Sequence, residues 1–140
     1  MLEDIAVDIK NALGEETIEV APENILNALG RLKQDHKFER LTSVTGVDRY
    51  PAEPRFEVVY HLQSVANKRR LRLKARVSGA NPEIESAVPV YRSADWYERE
   101  TFDLFGIRFR NHPDLRRIML PEDWEGYPLR KDYPVTGTRY

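Results

Sequence analysis

Alternating apolar and polar side chains predict a sheet in the middle of the chain. The segments FERLTSVTGVDRY and RFEVVYHLQS, parted by the breaker PAEP, and the segment RRLRLKARV each follow this pattern. Because successive side chains of a strand point to opposite faces, the third segment has an apolar and a basic face. The apolar face holds Leu71, Leu73, Ala75 and Val77, and the basic face holds Arg70, Arg72, Lys74 and Arg76. We expect the three segments to form antiparallel strands.

The first third of the chain predicts a helix, a strand and a second helix. Ile5 and Leu13 share one face if MLEDIAVDIKNALG is helical, and the short TIEVA segment favours a strand. The segment PENILNALGRLKQD is typical of a helix with Pro22 in its first turn. These elements are the ordinary framework of a domain that combines helices with a sheet.

A further helix is predicted over Ala94–Phe105. Ser93 is a suitable N-cap, Asp95 suits the first turn, and Gly106 suits a left-handed C-terminal stop. Asp95 and Arg99 stand four residues apart in the order that favours an ion pair, so we expect Arg99 to be paired and partly buried. The IRF segment that follows is strand-like. The sequence therefore predicts an α+β domain with a mostly antiparallel sheet of four to five strands, covered by helices.

Residues 120–140, LPEDWEGYPLRKDYPVTGTRY, lose hydrophobic periodicity, and three prolines exclude a long helix or a central strand. We predict an extended C-terminal arm that follows a self-sufficient domain of residues 1–119. The arm is rich in the aromatic and arginine side chains of protein interfaces, so we expect it to dock on a partner. The alternative is that the arm packs back on its own domain. The residues predicted for the interface are Trp124, Tyr127, Leu129, Arg130, Asp132 and Tyr133.

Composition narrows the possible functions of this chain of 140 residues, a length that fits one domain. Its 22 basic and 23 acidic residues are nearly balanced, which argues against general electrostatic binding of nucleic acid or anionic membrane. With no cysteine, the chain offers no thiolate ligand for zinc or an iron-sulfur cluster. Its acidic start does not resemble a signal peptide, and we expect no membrane span because no apolar stretch reaches about 18 residues.

Two patterns could carry chemistry or binding of their own. Glu100 and Asp103 stand three apart on the predicted helix and could serve as paired carboxylates, or as metal ligands together with His112. No recognised metal-site spacing accompanies them, and we expect these charges to bond to backbone and arginine side chains. The basic face described above could bind phosphates, although such faces are usually solvated or protect a sheet edge.

A longer stretch, ERETFDLFGIRFRNHPDLRRIMLPEDWEGYPLRKDYP, resembles the signature of the 30-kDa subunit family of respiratory complex I, which is the C subunit of NADH:quinone oxidoreductase. Upstream, DRYPAEPRFEVVYHLQS also resembles that family. Asn111 stands where the family usually has glycine, which Asn replaces if the backbone is left-handed there. Tyr127 stands where histidine is usual. The signature residues present are Glu98, Arg99, Glu100, Asp103, Gly106, His112 and Arg116.

The resemblance implies a non-catalytic structural subunit without an active site, metal or cofactor of its own. Such a subunit docks on the quinone-site subunit, also called the 49-kDa or D subunit, and on neighbouring iron-sulfur subunits of the peripheral arm. Flavin and iron-sulfur clusters are expected in those partners. The resemblance places the chain on the cytoplasmic side of a bacterial cell membrane, held there only through the complex. Related subunits also occur in membrane-bound hydrogenases and in complexes fed by ferredoxin or deazaflavin.

Overall fold

The computed structural model describes residues 1–12 and 15–134 of the chain. Over these residues the backbone forms a five-stranded sheet, a two-stranded sheet and two α-helices. The strands of the large sheet are β1 (Ala6–Ala12), β2 (Glu15–Val20), β3 (Arg40–Asp48), β4 (Phe56–Ser64) and β5 (Arg69–Val77). The short strands are β6 (Glu83–Glu85) and β7 (Arg108–Arg110), and the helices are α1 (Ile25–Asp35) and α2 (Ala94–Phe105).

The strands of the large sheet lie in the order β1-β2-β5-β4-β3. Neighbours run antiparallel at β1–β2, β5–β4 and β4–β3, and parallel at β2–β5. The predicted α+β fold with a mostly antiparallel sheet is confirmed, and the sheet is mixed rather than purely antiparallel. The parallel pair arises because the chain leaves β2, forms α1 and the β3–β4 hairpin, and returns beside β2 as β5.

The predicted N-terminal helix is wrong, because Ala6–Ala12 form strand β1. Ile9 of this strand lies directly opposite Ile18 of β2, whose side chain is buried. Val7 and Ile9 stand two residues apart, which is the spacing of a strand. The segment therefore fits both the helical and the strand period, and hydrogen bonding to β2 selects the strand. Leu13, on which the helix prediction depended, lies outside the described residues.

The hydrophobic core lies between helix α1 and one face of the large sheet. Pro22 opens a 3-10 turn that leads into α1, which confirms the predicted helix. The apolar face predicted for β5 is buried, and α1 packs on the core through residues at helical spacing. Those α1 residues are Ile25, Ala28, Leu29 and Leu32. Among the described residues, neither helix has the length and apolar character needed to cross a bilayer.

Helix α2 has the predicted bounds and packs on β3 at close range. The hydroxyl of Thr101 donates to the carbonyl of Val44 at 3.1 Å. Phe105 lies over Gly46, where an added Cβ would stand 2.9 Å from the ring. The predicted left-handed stop at Gly106 is present, with φ of 79°. Glycine at position 46 therefore lets the helix approach the sheet.

Ser93 precedes α2, as predicted, but its side chain does not cap the helix. Its hydroxyl donates instead to the carbonyl of Leu41 on β3 at 2.9 Å, and its backbone is already helical. The prediction of a Ser93 cap is therefore wrong, because the helical backbone at Ser93 and the bond to Leu41 direct the hydroxyl to the sheet, and it accepts no N–H of the first turn. This bond adds a second tie between β3 and the start of α2.

The basic face of β5 is paired with acidic side chains of its neighbours. Arg72 bonds to Glu15 of β2 at 2.9 Å, and Lys74 lies 3.7 Å from Glu57 of β4. Arg69, at the start of the strand, pairs with Glu16. Two of the four side chains of the basic face, Arg72 and Lys74, are therefore paired with acids, whereas Arg69 has the parity of the apolar face. The pairing favours a solvated sheet face over a phosphate-binding surface.

Two glycine substitutions test how closely α2 approaches the sheet. Gly46→Ala should lower the free energy of unfolding by about 1–3 kcal/mol, because the new methyl group overlaps the Phe105 ring. Gly30→Ala serves as the control, since nothing lies within 4 Å of its added Cβ in α1. That change should raise stability by about 0.5–1 kcal/mol. Urea unfolding of both variants measures the effects, and equal stability of the two would contradict the described packing.

Candidate functional site

The C-terminal segment, residues 111–134, has neither helix nor strand and lies against helix α2. It contacts the helix at Asp103, whose side chain is completely buried. One carboxylate oxygen of Asp103 accepts the backbone N–H groups of Ile118, Met119 and Leu120, at 3.0, 2.7 and 3.0 Å. Successive N–H groups that converge on one anion form a concave binding site. The carboxylate therefore fixes the path of the chain at this point.

Arg117 supplies the charge that balances Asp103. Its Nη1 atom lies 3.0 Å from the other carboxylate oxygen, and its side chain is only 10% exposed. The Nη2 atom of the same guanidinium donates to the carbonyl of Gly126 at 2.8 Å. Because a buried charge without a partner costs several kcal/mol, Asp103 and Arg117 each require the other. The pair holds two parts of the C-terminal segment against α2.

A second buried carboxylate, Asp48 at the end of β3, binds the far end of the segment. Arg55 makes two hydrogen bonds to it at 2.8 Å, and the backbone N–H of Lys131 donates to it at 2.7 Å. Arg55 also bonds to Asp132 at 2.6 Å. The hydrogen bonds from Arg55 keep the pKa of Asp48 well below its ordinary value. The carboxylate is therefore ionised across the physiological range.

Between these two carboxylates the segment is held by aromatic and cationic groups. The ring of Tyr127 lies 4.9 Å from the Arg117 guanidinium and 4.7 Å from that of Arg130. The Nε of Arg130 donates to the carbonyl of Phe105 at the end of α2, at 2.7 Å. Stacking on a ring and a hydrogen bond from the same guanidinium combine two favourable contacts in one side chain. The segment therefore closes over the C-terminal end of α2.

The six residues predicted for a partner interface divide into three groups. Three of them pack back on their own domain through the contacts described above, which is the predicted alternative to docking: Tyr127, Arg130 and Asp132. Leu129 is 52% exposed even though its backbone N–H donates to the carbonyl of Leu104 at 3.1 Å. Docking of the arm on a partner stays a prediction, as does the division between residues 1–119 and 120–140. The other two, Trp124 and Tyr133, are half-buried.

A buried polar cluster surrounds Glu98 on α2, whose side chain is fully excluded from solvent. One of its oxygens accepts the Ser86 hydroxyl and the other the backbone N–H of Ala87, both at 2.6 Å. The Nε2 atom of His112 lies 3.9 Å away. Burial raises the pKa of Glu98 to about 7, although the two hydrogen bonds oppose this shift. The carboxyl therefore ties α2 to the loop after β6 and titrates near neutral pH.

His112 is buried beside Glu98 and fixes the start of the C-terminal segment. Its Nδ1 accepts the backbone N–H of Asp114 at 2.9 Å, so the ring proton of the neutral form is on Nε2. That nitrogen lies 3.0 Å from a carboxylate oxygen of Asp95. Asp95 also bonds to Arg99 at 2.9 Å, which is the ion pair that the sequence predicts. The arrangement joins the first turns of α2 to the segment.

Asn111 and Arg116 lie at the surface near this cluster. Asn111 has the predicted left-handed backbone, with φ of 62°. Its side-chain amide donates to Glu85 of β6 at 3.0 Å. Arg116 is exposed and pairs with Asp114 at 3.0 Å, a surface contact that contributes little to stability.

The residues proposed for metal or hydrolytic chemistry are not gathered into one site. Asp103 is occupied by Arg117 and backbone N–H groups, and His112 bonds to Asp95 and Asp114. Over residues 1–12 and 15–134, no group of three or more His, Cys, Asp or Glu side chains could hold a metal ion. What the arrangement provides is a fixed surface built from α2 and the C-terminal segment.

The sequence did not indicate the roles of Asp48, Arg55 and Arg117. Asp48 and Arg55 flank the PAEP turn, and pairing of Asp48 with Phe56 in the β3–β4 hairpin brings the two charges together. An acid and a base on either side of a hairpin turn is the signal that could have identified this pair. Arg117 has no such local signal, because its partner Asp103 lies 14 residues away across an intervening strand.

Asp103→Asn should destabilise the domain strongly. The asparagine amide is uncharged, so its hydrogen bonds with the backbone N–H groups are weaker than those of the carboxylate. It also leaves Arg117 buried without a counter-ion. We expect the free energy of unfolding to fall by about 3–5 kcal/mol. Glu100→Gln on the same helix, three residues away, should change it by less than about 0.5 kcal/mol. Urea unfolding and limited proteolysis of the C-terminal segment measure both, and similar behaviour of the two variants would contradict the role of Asp103.

Glu98→Gln should change how stability depends on pH. Because burial raises the pKa of Glu98 from 4.5 to about 7, the native state retains a proton that the unfolded chain releases between these values. The contribution of Glu98 to stability therefore falls as the pH rises through this window, whereas glutamine contributes no such slope. As the pH rises, the free energy of unfolding of the variant should therefore increase relative to that of the wild type by up to about 3 kcal/mol.

Urea unfolding of both proteins from about pH 4 to about pH 8 measures this gain. His61, whose pKa burial lowers, has the opposite slope but contributes equally to both proteins and cancels in the difference. A stability difference that stays constant with pH would show that Glu98 keeps its ordinary pKa.

The sequence matches the family model described as respiratory-chain NADH dehydrogenase, 30 Kd subunit, over residues 18–139. It is 54% identical over 132 residues to the C subunit of NADH-quinone oxidoreductase from Trichlorobacter lovleyi, a match that covers 94% of this chain and 82% of that relative. The corresponding C subunit from Citrifermentans bemidjiense is 50% identical over 131 residues, which covers 94% of this chain and 81% of that relative.

Two solved structures have the same fold. One is Nqo5 in the form of a trypsin-resistant fragment, with a TM-score of 0.71 and 30% identity over 77% of this chain and 89% of that chain. The other is a chain of the membrane-bound sulfane sulfur reductase, an archaeal respiratory membrane complex, with a TM-score of 0.79 and 26% identity over 91% of this chain and 77% of that chain. With the family model matched over most of its length, this chain belongs to the 30-kDa subunit family of respiratory-chain NADH dehydrogenase, as does the C subunit of NADH-quinone oxidoreductase.

Proposed function

We propose that this chain is a non-catalytic structural subunit of the peripheral arm of a proton-translocating NADH:quinone oxidoreductase. The observation that carries the proposal is the C-terminal segment, which has no regular secondary structure yet is fixed at two buried carboxylates, Asp48 and Asp103. Such an arrangement provides a rigid surface. It supports a role in binding and positioning other subunits, while the chemistry belongs to those subunits.

The partners that we propose are the quinone-site subunit, known as the 49-kDa or D subunit, and the neighbouring iron-sulfur subunits. In this proposal the chain binds no flavin, quinone or cluster, and these cofactors belong to the partners. The buried acidic and histidine side chains are engaged in bonds that hold the fold, as at Asp103 and His112. The chain would support electron transfer by keeping its partners at fixed distances from one another.

The exposed part of the C-terminal segment is the proposed contact with the quinone-site subunit. Leu129 is 52% exposed, and the bond from its N–H to Leu104 holds it in place. The neighbouring Arg130 is ordered by Tyr127 and by the end of α2. A backbone that is fixed in the free protein loses less conformational entropy on binding, which favours affinity. Leu129 therefore has the properties of an interface anchor.

The chain would be a peripheral membrane protein on the cytoplasmic side of a bacterial cell membrane, attached only through its partners. The alternative is the equivalent subunit of a related membrane-bound complex that takes electrons from another donor. The structural likeness to a chain of a sulfane sulfur reductase favours that alternative. The relatives from Trichlorobacter lovleyi and Citrifermentans bemidjiense, at about half identity, are both C subunits of NADH-quinone oxidoreductase, which favours the first proposal.

Leu129→Asp should abolish binding to the quinone-site subunit without unfolding the chain. An aspartate at an exposed position costs little in the free protein, whereas in a dry interface its charge would be buried without a partner. Val65→Asp is the matched control, because Val65 is 54% exposed in the turn between β4 and β5. The measurement is which subunits co-purify with each tagged variant from the native membrane.

We expect the Val65 variant to recover the same subunits as the wild type and the Leu129 variant to lose them. Thermal unfolding of both purified variants should stay close to that of the wild type. If the Leu129 variant still recovers the quinone-site subunit, this part of the segment is not the docking surface. If NADH:quinone oxidoreductase subunits are absent even from the wild-type preparation, the proposed complex is wrong.

A further inference from the structure

Strand β1 is an edge of the large sheet, and among residues 1–12 and 15–134 no strand pairs with its outer side. Its residues after Ala6 are all exposed, with Val7 at 65% and Ile9 at 44%. An unpaired strand edge presents free N–H and C=O groups to any strand that can align with it. The charged side chains of Asp8 and Lys10 protect this edge against strands of arbitrary sequence, so only a strand that matches both these charges and the apolar side chains can pair with it.

The row of side chains on the core face of the sheet ends abruptly at Ile9. Directly opposite residues of neighbouring strands share a face, which aligns Ile9 with Ile18 of β2, Leu73 of β5 and Tyr60 of β4. The last three are at most 1% exposed. The apolar row is therefore interrupted at the edge, where one more apolar side chain would continue it.

The opposite face has a matching pattern of charge. Lys74 of β5 is aligned with Glu19 of β2, which is aligned in turn with Asp8 of β1. Glu19 and Asp8 are like charges placed opposite each other, an arrangement that disfavours the pair unless a cation lies on the outer side. The edge at Asp8 therefore favours a neighbouring strand that carries a positive charge.

The row of Lys10, two positions along β1 from that of Asp8, favours the opposite charge on a neighbouring strand. Arg72 of β5 is aligned with Thr17 of β2, which is aligned with Lys10 of β1. Arg72 is paired with Glu15 and Thr17 is neutral, so Lys10 has no carboxylate opposite it on β2, and a carboxylate on the outer side would be its cross-strand partner. Asp8 and Lys10 are at present 3.7 Å apart and mostly exposed, a weak pair that leaves both groups available. An incoming strand must therefore place a cation and an anion two residues apart.

We propose that β1 pairs in antiparallel orientation with β1 of a second copy of this chain, with Ile9 on the two-fold axis. In this register Ile9 faces Ile9 of the partner subunit and continues the apolar row. Asp8 faces Lys10 of the partner subunit, and Lys10 faces Asp8 of the partner subunit. The strand thus satisfies its own two requirements, and the two sheets join into one continuous sheet.

This self-pairing is a property of the chain before it binds other subunits and does not depend on the proposed function. A strand of seven residues offers a small interface, so the association is weak and depends on concentration. A two-fold axis makes the contact identical for both copies and closes the assembly at a dimer. Larger assemblies are therefore not expected from β1 alone.

Charge-reversal variants of the full chain test the register. Asp8→Lys places lysine opposite lysine at both ends of the pairing, and Lys10→Asp places aspartate opposite aspartate. The Kd for dimerisation of each variant alone should be higher than that of the wild type by about tenfold or more. An equimolar mixture of the two variants restores opposite charges in every pair, so it should form heterodimers at wild-type strength. Sedimentation equilibrium up to about 1 mM protein measures all three samples.

Glu122→Lys is the control, since it makes the same change of net charge as Asp8→Lys at an exposed position of the C-terminal segment. It should dimerise like the wild type, and circular dichroism confirms that each variant is folded. A wild-type chain that remains monomeric over this range overturns the proposal. So does a dimer that Asp8→Lys leaves unchanged, or a mixture that associates no better than its components.

Discussion

The structure depends on one buried carboxylate near the end of a helix. Asp103 lies in the last turn of α2, where the helix dipole disfavours a negative charge, and its side chain has no access to water. Both penalties must be offset by donors from elsewhere in the chain. The C-terminal segment provides them through Arg117 and three successive backbone N–H groups. A segment without helix or strand thereby acquires a defined path.

Asp48 repeats this arrangement at the other end of the segment. There the balancing charge is Arg55, and the backbone donor from the segment is Lys131. Between the two carboxylates, Tyr127 and Arg130 close the segment over α2. Irregular segments are usually mobile because few bonds hold them. This one is held at one end by the buried Asp103–Arg117 pair, and at the other by the N–H of Lys131 on buried Asp48 and by the ion pair of Asp132 with Arg55. A rigid surface of this kind suits a subunit whose proposed role is to hold other subunits in place.

The sequence predicted the elements whose signal is local. The alternation in β3 to β5, Pro22 before α1 and the glycine stop after α2 are each visible within a few residues, and each is confirmed. Strand β1 was mistaken for a helix because both periodicities fit a short segment and only pairing with β2 decides. Asp103 was recognised as a signature residue, but its bond to Arg117 spans a strand and a turn that local patterns cannot place. The Ser93 cap is absent for a similar reason, since the hydroxyl turns to Leu41 of the distant strand β3 and the backbone at Ser93 is helical.

The contacts of Asp48 also constrain the order in which the protein is built. The bond from Lys131 spans 83 residues, and that between Arg55 and Asp132 spans 77. Contacts so far apart in sequence form late, because closing long loops costs entropy that only the finished structure repays. During synthesis, Asp103 can gain its donors once residue 120 has emerged, whereas Asp48 must wait until residue 131. A growing chain therefore carries an incompletely satisfied carboxylate at the end of β3 until residue 131 has been added.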